Sequence, residues 1–556
     1  MVAANGDYMQ SVHGGVVRST ESPKGQVSVV VGGGTGHYPA FAGWVGPGMA
    51  DGAVCGNIFA SPSASQAESV VRAAENGGGA LLLFGNYAGD CLSFGAAADK
   101  LRADGIDTRI VTISDDIASN TPDKHDDRRG IAGDLFVVKV ACAAATAGMS
   151  LDVVERVARK ANARSRSLGV AFTGCTMPGA EEPLFTVAKG EYALGLGIHG
   201  EPGISTHPMG AASELAALLT QRVLVEEPTR GQDGYGGHIA VLVNGLGATK
   251  YEELFVLYST VSDILTERNL TVVHPVVGEQ VTSLDMAGVS LSIMFLDEEL
   301  ERLWLAPADS PAYKTGSVEH GAHRKQVSQL QAQAVESGSP ASSEQAHVAL
   351  RFIEVLADVA ATKEEELGKL DSIAGDGDHG RGLVLGSLAA VSAAREAVEA
   401  GAGVATLFTH AGDAWAEGAG GTSGVAWGAA ITAFGKALSN ESAASPEELG
   451  LAGVAAARAV ESVGGAKPGD KTMVDATHPF ADELEAQIKS GATLATAWSA
   501  AAKVATDAAE KTTKLIARKG RARTHGKASI GHPDPGATSF ALLMTGVADA
   551  LASECA

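Results

Sequence analysis

The chain has 556 residues, too many for one core at ~100–200 residues per domain, so several core-sized units are expected. Hydrophobic residues make up 45% and charged residues 19%, with mean hydropathy +0.09, which is a globular composition and not a disordered one. Its 42 Lys and Arg against 65 Asp and Glu leave a net charge of −23, a field that repels phosphate backbones and anionic lipid and excludes nucleic acid and membrane surface as expected partners.

The N-terminal MVAANGDYMQSVHGG has neither the basic start nor the apolar core of a secretory signal. Cys55, Cys91, Cys142, Cys175 and Cys555 are scattered, with no CxxC pair and no zinc spacing, as in a reduced, cytoplasmic chain. The longest uncharged run, Gly418 to Gly435, is too rich in Gly, Ser and Thr for a membrane span. Glycine, 69 residues in all, is about 12% of the chain against a usual ~7% and is gathered in short motifs. Clustered glycine suggests backbone brought close to ligands.

From Gln26 to about Leu305 the β-branched runs VSVVV (27–31), ALLLF (80–84), RIVTIS (109–114) and IAVLVN (239–244) alternate with Ala-rich helical stretches. This alternation predicts an α/β layer fold. The first run enters Gly32-Gly33-Gly34-Thr35-Gly36-His37. A dinucleotide fingerprint would need Gly where His37 stands, so the Rossmann reading fails. What remains is a tight turn presenting amides and one imidazole to small hydroxyl or carbonyl groups, or else a structural turn with His37 on a backbone group. The run at 109–114 leads into Asp115-Asp116, at the strand end where α/β sheets place ligands, although a solvated loop or helix cap has the same pattern. In GIHGEPG, Gly197 and Gly200 leave His199 approachable. A neutral imidazole nitrogen is a nucleophile and a small ketone an electrophile, while a structural histidine is the alternative.

Between Ser317 and Glu344 the chain turns polar and loses periodicity, which marks an interdomain linker between an α/β region, 1–316, and a region, 345–556, whose three- and four-residue apolar spacing predicts helices almost throughout. In LDSIAGDGDHGRG, Asp371, Asp376 and Asp378 are interleaved with glycines. Three carboxylates on one turn repel unless a hard cation such as Mg²⁺ joins them, the alternative being a solvated loop. An EF-hand is excluded, because Ser387 stands twelfth from Asp376. Three more Gly-rich stretches follow: GAGGTSGVAWG, GGAKPGDKTMVDA and GHPDPGATS. The second imitates a Walker A loop, but Asp470 is inserted before Lys471-Thr472 and no β-strand is expected ahead of it. Amides at helix N-termini can still hold phosphates, so the second half reads as a Mg-nucleotide module.

GGGTGH, CGNIFASPS, GIHGEPG, TSLDMAG, GDGDHG, GGTSG, GAKPGDKTM and DPGA stand in the order of the dihydroxyacetone kinase family, which the chain resembles from about Val27 to Thr538. The resemblance implies a first domain of two α/β subdomains that binds a short ketose, and an all-α helical barrel that binds ATP through Mg²⁺. It implies that His199 forms a hemiaminal with the substrate carbonyl. Gly34, Thr35, Gly36, His37 and Asp115 would surround the ketose, with His37 and Asp115 assisting deprotonation of its hydroxyl. Asp371, Asp376 and Asp378 match the Mg²⁺ ligands. His379, Gly380, Thr422, Ser423, Gly464, Thr472, Met473, Gly520, Arg521, Asp534, Pro535 and Gly536 match nucleotide contacts. A cytoplasmic homodimer with domain-swapped active sites is also implied. Tyr38 stands where many members have Glu and His379 where many have Cys, and the GHYPAF and GDGDHG forms resemble the branch that phosphorylates erythrulose. The first strand, near Val27, comes early, so a helix that usually precedes it is short or missing. Other readings are a phosphoenolpyruvate-relay phosphotransferase with resident ADP and a non-catalytic sugar-sensing regulator.

Overall fold

A computed structural model describes residues 1–323, 335–375, 377–520, 522–523 and 529–554. The chain divides into two compact units, Met1–Leu330 and Gln331–Ala556.

The described residues of the first unit hold two large sheets and a small antiparallel pair, Ala308–Asp309 with Lys314–Thr315. The first is built from β1 (Met9–Val12), β2 (Gly15–Arg18), β3 (Ser28–Thr35), β4 (Gly52–Ile58), β5 (Ala80–Gly85) and β6 (Thr108–Ile113), in the order β1-β2-β4-β3-β5-β6. The β4-β3-β5-β6 neighbours are parallel, and their unbroken apolar runs reflect helices on both faces. Helices α1 (Ala64–Ala74) and α2 (Ala88–Ala103) bury Val70, Val71, Phe94 and Leu101 on one side. On the other side α3 (Asp134–Thr146) and α4 (Leu151–Arg164) supply Leu135, Phe136, Val154 and Val157. Ser63 starts α1 with a reciprocal cap: its hydroxyl accepts from Gln66 N–H while the Gln66 side chain accepts from Ser63 N–H. The chain does not open directly into the strand at Val27. The short antiparallel pair β1–β2 precedes it and pairs with β4; four residues each are too few to register as alternation.

The second sheet contains β7 (Ser165–Ala171), β8 (Glu191–Leu194), β9 (Ser205–Pro208), β10 (His238–Gly245), β11 (Thr271–Val272), β12 (Val276–Gly278) and β13 (Gly288–Leu296). Its order is β11-β10-β13-β7-β8-β9, with β12 also on β10, and all pairs are antiparallel except those of β11 and β12 with β10. Helices α5 (Ala212–Leu224) and α6 (Tyr251–Glu267) pack Leu215, Leu219, Leu254 and Val261 over Ile239, Val241, Leu291 and Ile293. Helix α7 (Glu298–Trp304) follows β13.

The second unit is helical: α8 (Pro340–Asp371), α9 (His379–Glu399), α10 (Val404–Ala419), α11 (Gly421–Lys436), α12 (Pro446–Ser462), α13 (Val474–Lys489), α14 (Leu494–Lys511) and α15 (Pro535–Glu554). Each helix packs on the next and α15 returns to α8, closing a ring. A ring of eight helices cannot fill its own axis, and an apolar cavity of about 300 Å³ remains inside, lined by Phe352, Phe408, Trp427, Phe480 and Phe540. The Ser-Pro pair read as linker is instead a helix start: the Ser339 hydroxyl accepts from Ser342 N–H and Pro340 takes the first helical position. Helix α15 is long and apolar enough to cross a membrane, but Phe540, Ala541, Met544 and Val547 belong to the buried core of the ring.

Candidate active site

Strand β3 ends in the glycine turn because nothing larger fits. A Cβ on Gly34 would lie 2.8 Å from the Ala60 nitrogen, and one on Gly36, whose φ is +101°, would lie 2.8 Å from the Phe59 ring. That closeness lets the Phe59 ring stack on the buried His37 imidazole, with centroids 4.9 Å apart and 14° between planes. Thr35 is the half-buried last residue of β3, and Tyr38 is 51% exposed.

His37 Nδ1 lies 2.8 Å from the Thr282 carbonyl, so it carries the proton and donates it. His199, also buried, places its Nδ1 3.1 Å from Glu201 Oε1, while its backbone N–H donates to Glu201 Oε2 at 3.0 Å. Phe59 and Tyr87 meet the His199 ring edge to face, at 5.3 and 4.7 Å. The two Nε2 atoms stand 3.0 Å apart. With both Nδ1 protons committed, neutral rings would set two lone pairs against each other, which repels. A third proton between the Nε2 atoms would remove the repulsion and give the pair one positive charge against the Glu201 carboxylate.

Of the two adjacent aspartates, Asp116 is the one joined to this pair. Arg129 bridges Asp116 at 2.8 Å and Glu201 at 3.9 Å. Burial works against the Arg129 charge, but the two carboxylates hold it well above its usual range. Asp115 is turned elsewhere: its Oδ1 and Oδ2 accept from the Ile131 and Gly133 amides, each at 2.8 Å. Asp115, the expected substrate contact, is a buried carboxylate that anchors the 131–133 loop through these backbone N–H groups. Burial raises its carboxyl in spite of those bonds. Burial also pushes Asp134 well up, helped by the negative Asp115 and Asp90.

Sequence reasoning missed Glu201, Arg129, Tyr87 and Thr282. Glu201 was legible in principle, two residues from His199 in GIHGEPG; the others reach the pair from remote loops. Buried Asp90, in the first turn of α2, is another buried carboxylate that it passed over.

In the helical unit, Asp371 ends α8 and Asp378 precedes α9, and Asp371 Oδ2 accepts from Gly377 N–H at 2.9 Å. Burial, and then the negative Asp371, push the Asp378 carboxyl up to about 7. Burial does the same for Asp534, which reaches about 7 although Ala537 N–H donates to it at 2.8 Å, with the Asp475 and Asp371 charges adding to the rise. Oxygen ligands whose charges stress one another are the donor set a hard cation relieves, so Mg²⁺ fits here. Among the described residues no group of three or more such side chains stands at metal-holding distance; Asp376 lies outside the described residues, as does Arg521.

His379 Nε2 lies 2.9 Å from the Ser539 hydroxyl, joining the start of α9 to the first turns of α15. Gly380 permits the approach of α9 to α8, since a Cβ there would sit 2.1 Å from the Glu364 carbonyl. A Cβ on Gly536 would lie 3.3 Å from Met473 Cβ, so Asp534-Pro535-Gly536 and Met473 are neighbours. Thr472 N–H donates to Asp475 at 2.7 Å. Thr422 and Ser423 occupy the first turn of α11, where the N-cap Gly420 provides no side chain and leaves amides for an anion. Gly464 and Gly520 sit on other turns, with φ of 70° and 67°.

An α/β unit with a close, carboxylate-backed imidazole pair, joined in one chain to a ring of helices bearing carboxylates and Gly-rich N-termini, has the two-part build of a small-molecule phosphotransferase. Residues 1–312 match the Dak1 domain and residues 373–549 the DAK2 domain. The chain belongs to the dihydroxyacetone kinase family. L-erythrulose 1-kinase of Mycolicibacterium smegmatis is 55% identical over 99% of this chain and 96% of that protein. D-erythrulose kinase of the same organism is 51% identical over 98% and 95%. The native dihydroxyacetone kinase of C. freundii matches at TM-score 0.50 with 31% identity, over 96% of this chain and 93% of that one. The dihydroxyacetone kinase operon co-activator DhaQ matches at TM-score 0.53 with 29% identity, over 57% of this chain and 97% of that one.

Proposed function

We propose that this ATP-dependent ketose kinase phosphorylates erythrulose, held as a hemiaminal on His199. The observation that carries the reading is the 3.0 Å contact between His37 and His199. As His199 Nε2 bonds to the ketose carbonyl carbon, the C=O π electrons move to oxygen, which takes the shared proton from His37 Nε2. The positive charge passes to the alkylated His199 ring, where Glu201 already opposes it, so no charge is created in the buried site. A polyol such as glycerol has no electrophilic carbon and is not captured. Gly34, Thr35 and Gly36 keep the approach open around the adduct.

Asp371, Asp376 and Asp378 would hold Mg²⁺, which when bound neutralises charge on the nucleotide phosphates. Thr422 and Ser423 offer helix N-terminal amides to phosphate. His379, Gly380, Gly464, Thr472, Met473, Gly520, Arg521 and the Asp534-Pro535-Gly536 turn contact the rest of the nucleotide. The preference for a four-carbon ketose is supported by the two full-length erythrulose kinase relatives, at 55% and 51% identity. The enzyme acts in the cytoplasm as a homodimer, each ketose site served by the partner's helical unit. A purely regulatory role is disfavoured because the operon co-activator matches 57% of this chain, while this chain carries a full helical unit as well.

Purified protein is expected to phosphorylate erythrulose with Mg-ATP and no added relay protein. A ¹³C-labelled ketose carbonyl is expected to lose its ketone resonance on the wild type and keep it on His199→Ala. Turnover that requires a phosphoenolpyruvate relay would select the resident-ADP mechanism instead. A retained ketone resonance on the wild type would remove covalent capture.

A further inference from the structure

The near-Walker stretch GGAKPGDKT leaves a lysine without its usual task. In a P-loop the lysine reaches the β- and γ-phosphates. Here Lys471 is 3% exposed and its ammonium points back into the helical unit. It donates to the Leu515 carbonyl at 3.2 Å, the Ser529 carbonyl at 2.5 Å and the His532 carbonyl at 2.8 Å. An ammonium has three N–H donors, so all are spent on backbone and none remains for phosphate.

No carboxylate pairs with Lys471 at ion-pair distance among the described residues. Burial lowers its basicity, and the Asp534 charge opposes that drop. Its backbone sits at a φ of 59°, in the left-handed region that a residue with a side chain adopts only when its surroundings enforce it. A second, independent bond crosses the same joint: Arg518 N–H donates to the Asp470 carbonyl at 3.0 Å. On one side of the joint lie Thr472 and Met473, and on the other lie Gly520 and, two residues after His532, the Asp534-Pro535-Gly536 turn.

We propose that Lys471 is a positioning residue for the nucleotide: by gathering three carbonyls from the far side of the joint onto one cation, it fixes both nucleotide-contacting loops as a single cradle. The inference rests on the reading of the helical unit as the nucleotide site. A compact ammonium suits this task because three carbonyls converge on a point, which a planar guanidinium does not match. Removing the charge leaves three carbonyl dipoles facing one another, and the loops separate.

The test is direct binding of a fluorescent ADP analogue to the full chain, with Mg²⁺ present, for wild type, Lys471→Met and Lys471→Gln. Ketose capture and thermal melting are followed on the same samples. Nucleotide Kd is expected to rise at least tenfold in both variants, with ketose capture in the first unit unchanged. Lys471→Gln keeps two N–H donors and is the measurement that decides if Lys471→Met is insoluble. A Kd within twofold of wild type, or a loss of ketose capture in step with melting, would overturn the proposal in favour of a general folding role. Failure of the wild type itself to bind the analogue would remove the nucleotide reading, a different outcome from a wild type that binds beside variants that bind equally well.

Discussion

Glu201 bears directly on the imidazole pair, because it accepts from both the ring and the backbone of His199. Replacing it with Gln keeps the shape and removes the charge that opposes the alkylated ring. We expect Glu201→Gln to lower kcat/KM for the ketose by about 10²-fold, a usual size for a displaced acid–base group, with KM for ATP unchanged in steady-state kinetics. Asp115 separates the sequence expectation from the geometry. If it anchors the 130–133 loop, Asp115→Asn costs ~1–3 kcal/mol of stability, read as a lowered Tm, and leaves kcat/KM near wild type. A near-complete loss of turnover at unchanged Tm would place Asp115 at the substrate. The histidines themselves were legible from their glycines, Gly36 before His37 and Gly197 and Gly200 around His199, since small residues beside an imidazole signal approach. Arg129 was not legible, because nothing in its local sequence shows that it joins Asp116 to a loop 72 positions further on at Glu201.

At the scale of elements, the carboxylates that end α8 and precede α9 and α15 set a pH dependence. Burial and neighbouring charge raise Asp378 and Asp534 to about 7. The folded chain thus keeps protons that the unfolded chain has lost above the ordinary carboxylate range. Magnesium-free protein therefore loses stability as pH rises from that range through about 7. Mg²⁺ takes the deprotonated Asp378 carboxylate, so the rise in Tm on adding it is expected to be larger at about pH 8 than at about pH 6. An equal rise at both pH values would remove Asp378 from the metal site. The long parallel strands and the helices were plain from apolar runs and three- and four-residue spacing. The hairpin β1–β2 and the Ser339-Pro340 helix start were not, because short strands and Ser-Pro pairs carry the composition of loops.

For the molecule as a whole, a swapped arrangement can be separated from an unswapped one by mixing two inactive variants. His199→Ala and Asp378→Asn each disable one unit. In a swapped heterodimer one of the two active sites is wholly wild type, so free exchange of equal amounts is expected to restore about a quarter of wild-type activity. In an unswapped dimer every site keeps one lesion and the mixture stays inactive. The division into an α/β unit and a helical unit was readable because the hydrophobic period changes once along the chain. The closure of α15 onto α8 was expected only through the family resemblance to a helical barrel, because a ring is a property of all eight helices and of no single stretch. The central claim is that Mg-ATP phosphorylates a four-carbon ketose captured at His199, and one coupled assay tests it most directly. It compares kcat/KM for L-erythrulose, D-erythrulose, dihydroxyacetone and glycerol side by side. We expect one erythrulose enantiomer to lead, dihydroxyacetone to follow and glycerol to be inert; a preference for dihydroxyacetone, or turnover of glycerol at a comparable rate, would contradict it.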